Sequence, residues 1–344
     1  MKTSNSLTHR ILRIIGSPFA TSHLELRGKD VTPLYHYATR NRMPLRFLQA
    51  LGTISKSDSF AKEYDKLRNR YTQIVQATSR VSQALEKASV DYAFFKSIRP
   101  YREVTVDLDI LIFSPEYQQV IRNMSHAGYT FLAAGPLSTT FRDAKAEINI
   151  DLYNEIGASH IIYLDKQKLR KSIIDKKLSN GKIVRTLDPC ADLVALIAHS
   201  VLKEQMYVLS EYYTTLYSLA NTRSTSSNAI ISMVEECKIS RAFQTHLGLS
   251  ALLHQQAHGF IPDCLAKLLS QRDLNPLEST RVEEVNFLMP FKYHPITVVQ
   301  AFVEKFREAK ARKSFTDQIS SMLNPKFTSF AIRQLLGHII RETY

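Results

Sequence analysis

Two aspartates two positions apart, Asp107 and Asp109, interrupt an apolar stretch that reads VTVDLDILIF over residues 104–113. Successive side chains of a β-strand point to opposite faces, so a strand here would place both carboxylates on one side, about 7 Å apart. Two buried, unpaired anions are costly. A hard divalent ion such as Mg²⁺, which prefers oxygen ligands, removes that cost. The pair therefore indicates a metal site, although an isolated pair of this kind is also typical of a solvated strand face.

A third carboxylate strengthens the metal interpretation. In EINIDLY, residues 147–153, apolar side chains alternate with Glu147, Asn149 and Asp151. If this strand pairs near residues 104–113, Asp151 completes a cluster of three carboxylates. Two metal ions about 3.5–4 Å apart in such a cluster would clamp the attacking and leaving oxygens of an in-line phosphoryl displacement.

The elements that must position these acids follow from periodicity. Apolar residues at helical spacing predict one long amphipathic helix over 57–89. In the strand that carries the aspartate pair, Val106 is expected to lie on the apolar face with Leu108, Ile110 and Ile112. Strands are predicted over 91–97, 104–113, 129–134, 147–155 and 182–187, with a helix over 115–128.

The chain becomes helical after residue 187. Asp188 and Pro189 form a helix start, because the carboxylate caps the helix and proline fits its first position. Residues 1–56 are expected to be irregular with one or two short helices. Further helices are predicted within 189–221, 226–257, 260–272, 294–322 and 327–342. The fold class is therefore α+β, with an N-terminal segment (1–89), a small mixed-sheet α/β domain (90–187) and a helical C-terminal domain (188–344).

Charge and composition limit the class of partner. The formal net charge is +13. Residues 1–50 carry eight Lys and Arg against two acids, and residues 166–185 carry eight against one. Such clusters attract polyanions such as nucleic acid or nucleotides, while a solvated basic surface is the plainer alternative. No apolar run is long enough to span a membrane. The three widely spaced cysteines favour a reducing, cytoplasmic location.

The 10 glycines are too dispersed for a dinucleotide-binding fingerprint or a P-loop. The chain instead resembles the nucleotidyltransferase superfamily that includes DNA polymerase β, through FKS at 95–97, a nine-residue gap, DLDI at 107–110 and IDL at 150–152. The pattern is most similar to that of uncharacterised bacterial and archaeal nucleotidyltransferases, which read Leu-Lys-Gly, then Arg, then Asp-Ile-Asp-Leu-Leu-Val. Arg102 occupies the arginine position here. The resemblance covers about residues 90–215 and includes a later helix with a histidine, His199.

The resemblance implies transfer of a nucleoside monophosphate from a nucleoside triphosphate, such as ATP, with Mg²⁺ or Mn²⁺. It implies that Asp107 and Asp109 hold both metal ions, and that Asp151 holds the catalytic ion and helps to deprotonate the acceptor hydroxyl. Ser97 would hold the β- and γ-phosphates. The residues expected to neutralise phosphate charge are Lys96, Arg99 and Arg102.

One departure from the superfamily leaves alternatives open. Lys96 stands where the wider superfamily usually has glycine, so it either reaches a phosphate with its ammonium group or marks a decayed site.

The basic clusters favour RNA, including tRNA in a toxin-like role, as the acceptor. A small-molecule hydroxyl, as in antibiotic-modifying relatives, is the alternative. A catalytically silent nucleotide- or RNA-binding protein, and an adaptor that binds no nucleotide, are the other possibilities. The sequence does not indicate the oligomeric state.

Overall fold

One mixed β-sheet dominates the described parts of the chain. The structure is a computed structural model, and it describes residues 6–22, 31–54, 60–221, 226–270 and 288–322. In these ranges the sheet has seven strands: β1 (Tyr92–Phe94), β2 (Asp107–Ile112), β3 (Thr130–Ala134), β4 (Ser138–Asp143), β5 (Ile148–Tyr153), β8 (Ile173–Lys177) and β9 (Ile183–Leu187). Their order across the sheet is β3-β4-β5-β2-β1-β9-β8. Two further antiparallel pairs are separate from this sheet. One joins β6 (Ile156–Ala158) to β7 (Ile161–Leu164), and the other joins β10 (Met206–Tyr207) to β11 (Phe291–Lys292).

Helices precede, interrupt and follow the sheet. The first part of the chain gives α1 (Leu7–Ile15), α2 (Val31–Arg40), α3 (Pro44–Ile54) and the long α4 (Ala61–Lys87). Between strands lie α5 (Tyr117–His126) and α6 (Lys166–Leu169). The later helices are α7 (Pro189–Ala198), a π-helical turn (His199–Glu204), α8 (Leu209–Ala220), α9 (Ser226–Glu236), α10 (Ser240–His258), α11 (Asp263–Ser270), α12 (Pro295–Lys305) and α13 (Ala309–Met322). No described helix is both long and apolar enough to cross a membrane.

Each face of the sheet is covered by its own hydrophobic cluster. On one face, Leu108 of β2 and Ile150 of β5 pack with Val81 of α4 and Val120 of α5. On the other face, apolar side chains of the sheet join a larger cluster that contains residues of α1, α2, α3 and the helices after residue 188. The mixed architecture agrees with the α+β class. The division at residues 89/90 and 187/188 remains a prediction.

Several predicted bounds need correction. The strand predicted over 104–113 begins only at Asp107, and Val106, expected on the apolar face, is 71% exposed. The strand predicted over 91–97 ends at Phe94, because the backbone turns left-handed at Lys96. The described parts of residues 7–54 contain three helices, not one or two.

Other differences concern elements without strong local patterns. β4 and β8 were not expected, since STTFRD and IIDKK carry few apolar residues. The helix predicted over 189–221 breaks at the π-helical turn and at Gln205, whose φ is 53°. The Asp188 cap is confirmed, because its carboxylate accepts the N–H groups of Cys190 and Ala191. The predicted helix at 327–342 lies outside the described residues.

Candidate functional site

Three carboxylates meet where β2 and β5 run side by side. The two strands are parallel, and Asp109 pairs with Asp151 in the ladder while Asp107 lies opposite Asn149. Because paired residues in register point to the same face, the carboxylates converge. One oxygen from each of Asp107, Asp109 and Asp151 lies within 4.8 Å of the others. We call these three residues the carboxylate triad. The structure thus brings the three predicted acids together, and they could hold a metal ion.

The three carboxylates of the triad repel one another. Asp109 is buried, whereas Asp107 and Asp151 each keep part of their surface exposed. The negative charge of Asp109, together with burial, raises the pKa of Asp107 to about 7. Burial, reinforced by the Asp109 charge, also raises the pKa of Asp151. Mutual repulsion of this kind favours a positive charge among the carboxylates.

Lys96 already provides one such charge. Its Nζ lies 2.9 Å from Asp109 Oδ1, and its side chain is only 8% exposed. The rings of Phe95 and Tyr153 flank the ammonium at 5.0 and 5.4 Å from their centroids. Burial lowers the pKa of Lys96, but the charges of Asp109 and Asp107 outweigh that effect and raise the pKa above its usual value. Lys96 is therefore a buried cation in direct contact with the triad.

The backbone at Lys96 has a conformation that glycine adopts more readily than lysine. Its φ is 47°, in the left-handed region that glycine adopts most readily. The N–H of Lys96 donates a hydrogen bond to Asp192 Oδ1 in the first turn of α7. Burial raises the pKa of Asp192 to about 6. α7 therefore helps to fix the turn that directs the Lys96 side chain toward the triad.

Ser97 contacts the main chain around Asp109. Its Oγ accepts the Asp109 N–H at 3.2 Å and donates to the carbonyl oxygen of Phe95, also at 3.2 Å. The residue is 8% exposed. Ser97 thus ties the end of β1 to β2 beside the triad. The phosphate contact implied by the family resemblance remains a prediction.

The two arginines of the predicted site differ in their surroundings. Arg99 Nη1 donates to the hydroxyl of Tyr101 at 3.2 Å and to the carbonyl oxygen of Arg42 at 3.5 Å. Arg102 is exposed. The contacts of Arg99 tie it to the helical part of the molecule. The phosphate-neutralising roles of both arginines remain predictions.

Thr140 is a contact to the triad that sequence reasoning missed. β4 pairs with β5 so that Thr140 lies opposite Asp151, and Thr140 Oγ1 donates a hydrogen bond of 2.6 Å to Asp151 Oδ1. The hydrogen bond favours the charged carboxylate and orients it. Because STTFRD does not have a strong strand pattern, nothing in the sequence indicates that Thr140 lies beside an acid.

A second lysine lies near the triad. Lys203 Nζ is 3.4 Å from the Tyr153 hydroxyl and 5.7 Å from the centroid of its ring. Burial, together with the charge of Lys96, lowers the pKa of Lys203. Tyr153 lies two residues after Asp151, so strand alternation would have placed it on the same face.

His199 is a hydrogen-bonded residue at the end of α7. Its Nδ1 lies 3.1 Å from the Tyr163 hydroxyl, and its Nε2 lies 3.2 Å from a carboxylate oxygen of Glu204. Burial lowers the pKa of His199 to about 3, which keeps the imidazole neutral at pH 7. These contacts are those of a residue that positions the π-helical turn.

Comparisons with known proteins give little further information about what the triad does. No protein-family model matches the chain, and no curated protein matches it in sequence. Among solved structures, the chain is similar to an antigenic nucleotidyltransferase-like protein from Paracoccidioides brasiliensis. The identity is 16% and the TM-score is 0.31, over 58% of this chain and 93% of that one. Similarity at this level does not carry a functional assignment, which depends instead on the carboxylate triad.

Proposed function

We propose that this protein is a metal-dependent nucleotidyltransferase, which moves a nucleoside monophosphate from a nucleoside triphosphate to a hydroxyl acceptor. The observation that supports this most strongly is the parallel register of β2 and β5, which gathers the three carboxylates within 4.8 Å. Carboxylate oxygens are the ligands that Mg²⁺ takes in phosphate-handling sites. Mg²⁺ or Mn²⁺ is therefore the proposed cofactor.

The triad fits a divalent ion on two grounds. The raised pKa of Asp107 reports carboxylates that repel one another, and a cation between them would relieve that repulsion. Asp107 and Asp151 are partly exposed, so the site is open to solvent. Bound there, the ion would polarise the α-phosphate and lower the pKa of the acceptor hydroxyl.

The protein's own groups would complete the reaction. Asp107 and Asp109 hold the cation, and Thr140 orients Asp151 through its hydrogen bond. Asp151 accepts the proton of the acceptor hydroxyl, and the raised pKa of its carboxyl group suits it to act as a base. The hydroxyl oxygen then bonds to the α-phosphorus as the bond to pyrophosphate breaks. Ser97, Lys96, Arg99 and Arg102 are the proposed phosphate-binding residues.

RNA, including tRNA, is the proposed acceptor on grounds of charge. Many cations of the basic segment at 166–185 already have partners: Lys168 pairs with Glu308, and Arg170 and Arg185 both pair with Asp91. The exposed Lys177 and Lys182 of the β8–β9 hairpin are therefore the best candidates in this segment for contact with phosphate.

A silent nucleotide-binding protein is the second candidate, and the ion pair of Lys96 with Asp109 favours it. An ammonium 2.9 Å from a ligand oxygen competes with a metal ion for that oxygen. Such a protein would bind the nucleotide but would not transfer a nucleoside monophosphate.

The test is incubation with each α-³²P nucleoside triphosphate, Mg²⁺ and total RNA. The native chain should transfer label to RNA, and Asp107→Asn should lower the rate at least about 100-fold, because one carboxylate charge of the triad is lost. Asp65→Asn, which alters an exposed carboxylate of α4, is the matched control and should transfer label at the native rate.

The outcome separates the candidates. Tight nucleotide binding by the native chain without transfer to RNA or to small-molecule hydroxyls would support the silent protein. Equal transfer by native and Asp107→Asn chains would show that the triad is not the reaction centre.

A further inference from the structure

Lys96 is a buried lysine in contact with the carboxylate triad, not a surface lysine. Its ammonium lies 2.9 Å from Asp109 Oδ1 and is almost fully buried. The rings of Phe95 and Tyr153 flank it, and the hydrogen bond from its N–H to Asp192 fixes its backbone. This is a fixed cation inside a site built from anions.

We propose, on the basis of the proposed function, that the Lys96 ammonium takes the place of one divalent ion. Phosphoryl-transfer sites with three carboxylates hold two such ions. The native protein therefore binds a single Mg²⁺ or Mn²⁺ ion. Two-metal sites bring their ions about 3.5–4 Å apart between shared carboxylates. In this protein, one oxygen of the buried acid Asp109 is already bonded to a cation.

Charge balance between the triad and Lys96, the cation in direct contact with it, supports a single ion. The three carboxylates of the triad carry three negative charges when ionised, and Lys96 cancels one of them. One divalent ion neutralises the remainder, whereas two would leave an excess of positive charge next to a buried ammonium. Burying such an excess is costly. The side chain at residue 96 therefore determines how many ions the triad accepts.

The ion count can be measured without any turnover. Mn²⁺ is titrated into the protein in the absence of nucleotide, and free Mn²⁺ is followed by electron paramagnetic resonance. A blank with Asp107→Asn and Asp151→Asn corrects for ions bound elsewhere. Lys96→Met removes the ammonium at similar side-chain volume. Lys203→Met is the matched control, because it removes a nearby positive charge that does not contact the carboxylate oxygen of Asp109.

We expect one ion for the native chain, two for Lys96→Met and one for Lys203→Met. Two ions on the native chain, or a single ion on Lys96→Met, would overturn the inference and leave the proposed function standing. No ion on the native chain would overturn both. If Lys96→Met does not fold, as judged by circular dichroism, the native count alone decides: one ion supports the inference and two overturn it.

Discussion

Thr140 controls the orientation of the carboxylate that we assign as the base. Its hydroxyl donates to Asp151 Oδ1 at 2.6 Å, which leaves the other oxygen for metal or acceptor. Outer hydrogen-bond partners of metal ligands typically contribute about 10–100-fold to metal affinity. We therefore predict that Thr140→Val weakens Mn²⁺ binding about 10-fold, as measured by calorimetry, and that Thr140→Ser retains native affinity. Native affinity in Thr140→Val would contradict this role.

At the residue scale, the acids could be predicted and their partners could not. Asp107, Asp109 and Asp151 follow from strand alternation, which is a local property of the sequence. The contact of Asp151 with Thr140 comes from β4, which adjoins β5 in the chain but has no strong strand pattern. Lys203, whose charge acts on Asp109 and Asp151, comes from the π-helical turn, which is distant in the chain. Such contacts depend on strand order and helix placement, and no short sequence window contains that information.

The first turn of α3 depends on a carboxylate from another part of the chain. Glu103 accepts the N–H groups of Leu45 and Arg46, both in that turn, and also that of Val104. Negative charge at this end of a helix is favourable, and unpaired buried N–H groups are costly. We predict that Glu103→Ala lowers the free energy of unfolding by about 1–3 kcal/mol, as measured by urea denaturation.

Glu103→Gln is the control for that prediction, because it keeps a side-chain oxygen as acceptor. It should lose less stability than Glu103→Ala. Equal losses in the two variants would contradict this account, because they would show that an uncharged side-chain oxygen at residue 103 does not stabilise α3.

At the element scale, long periodic segments were predictable and chain reversals without glycine or proline were not. α4 was predicted from the helical spacing of its apolar residues. The break after α7 was missed because HSVLKEQ contains neither residue type, and Gln205 adopts a left-handed conformation there. Alternation predicts the polar face of β2 and of β5 but not their register, because the pairing of Asp109 with Asp151 is a long-range property.

Buried histidines make the whole molecule sensitive to acid. His246 is fully buried, with Nε2 2.9 Å from Thr215 Oγ1 and Nδ1 3.1 Å from the Tyr293 hydroxyl. Burial lowers the pKa of His246 to about 3. Below pH 6.5 the unfolded chain therefore binds a proton that the folded chain excludes, and stability falls as the pH falls. At pH 5.5 this group alone should cost about 1.4 kcal/mol.

Urea denaturation followed by circular dichroism at pH 7.5 and pH 5.5 measures that cost. His246→Gln can keep hydrogen bonds but does not titrate, so its loss of stability between the two pH values should be about 1.4 kcal/mol smaller than the native loss. Identical losses in the two proteins would show that His246 does not contribute to the pH dependence.

The net charge of +13 should make RNA binding strongly salt-dependent. Lys177 and Lys182 are exposed on the β8–β9 hairpin. If each contacts one phosphate, the variant with Lys177→Ala and Lys182→Ala should lower the salt slope of binding by about 1.4–1.8. Fluorescence anisotropy with labelled tRNA between 50 and 200 mM salt, roughly the range in which such contacts weaken, measures the slope. An unchanged slope would place the RNA contact elsewhere.

We propose that the carboxylate triad is a divalent-metal site, and anomalous scattering from Mn²⁺-soaked crystals shows whether an ion binds there. We predict an anomalous peak at roughly 2.0–2.4 Å from carboxylate oxygens of the triad. Asp151→Asn crystals should show a weaker peak at the same position. A native map at saturating Mn²⁺ with no peak among Asp107, Asp109 and Asp151 would contradict the claim.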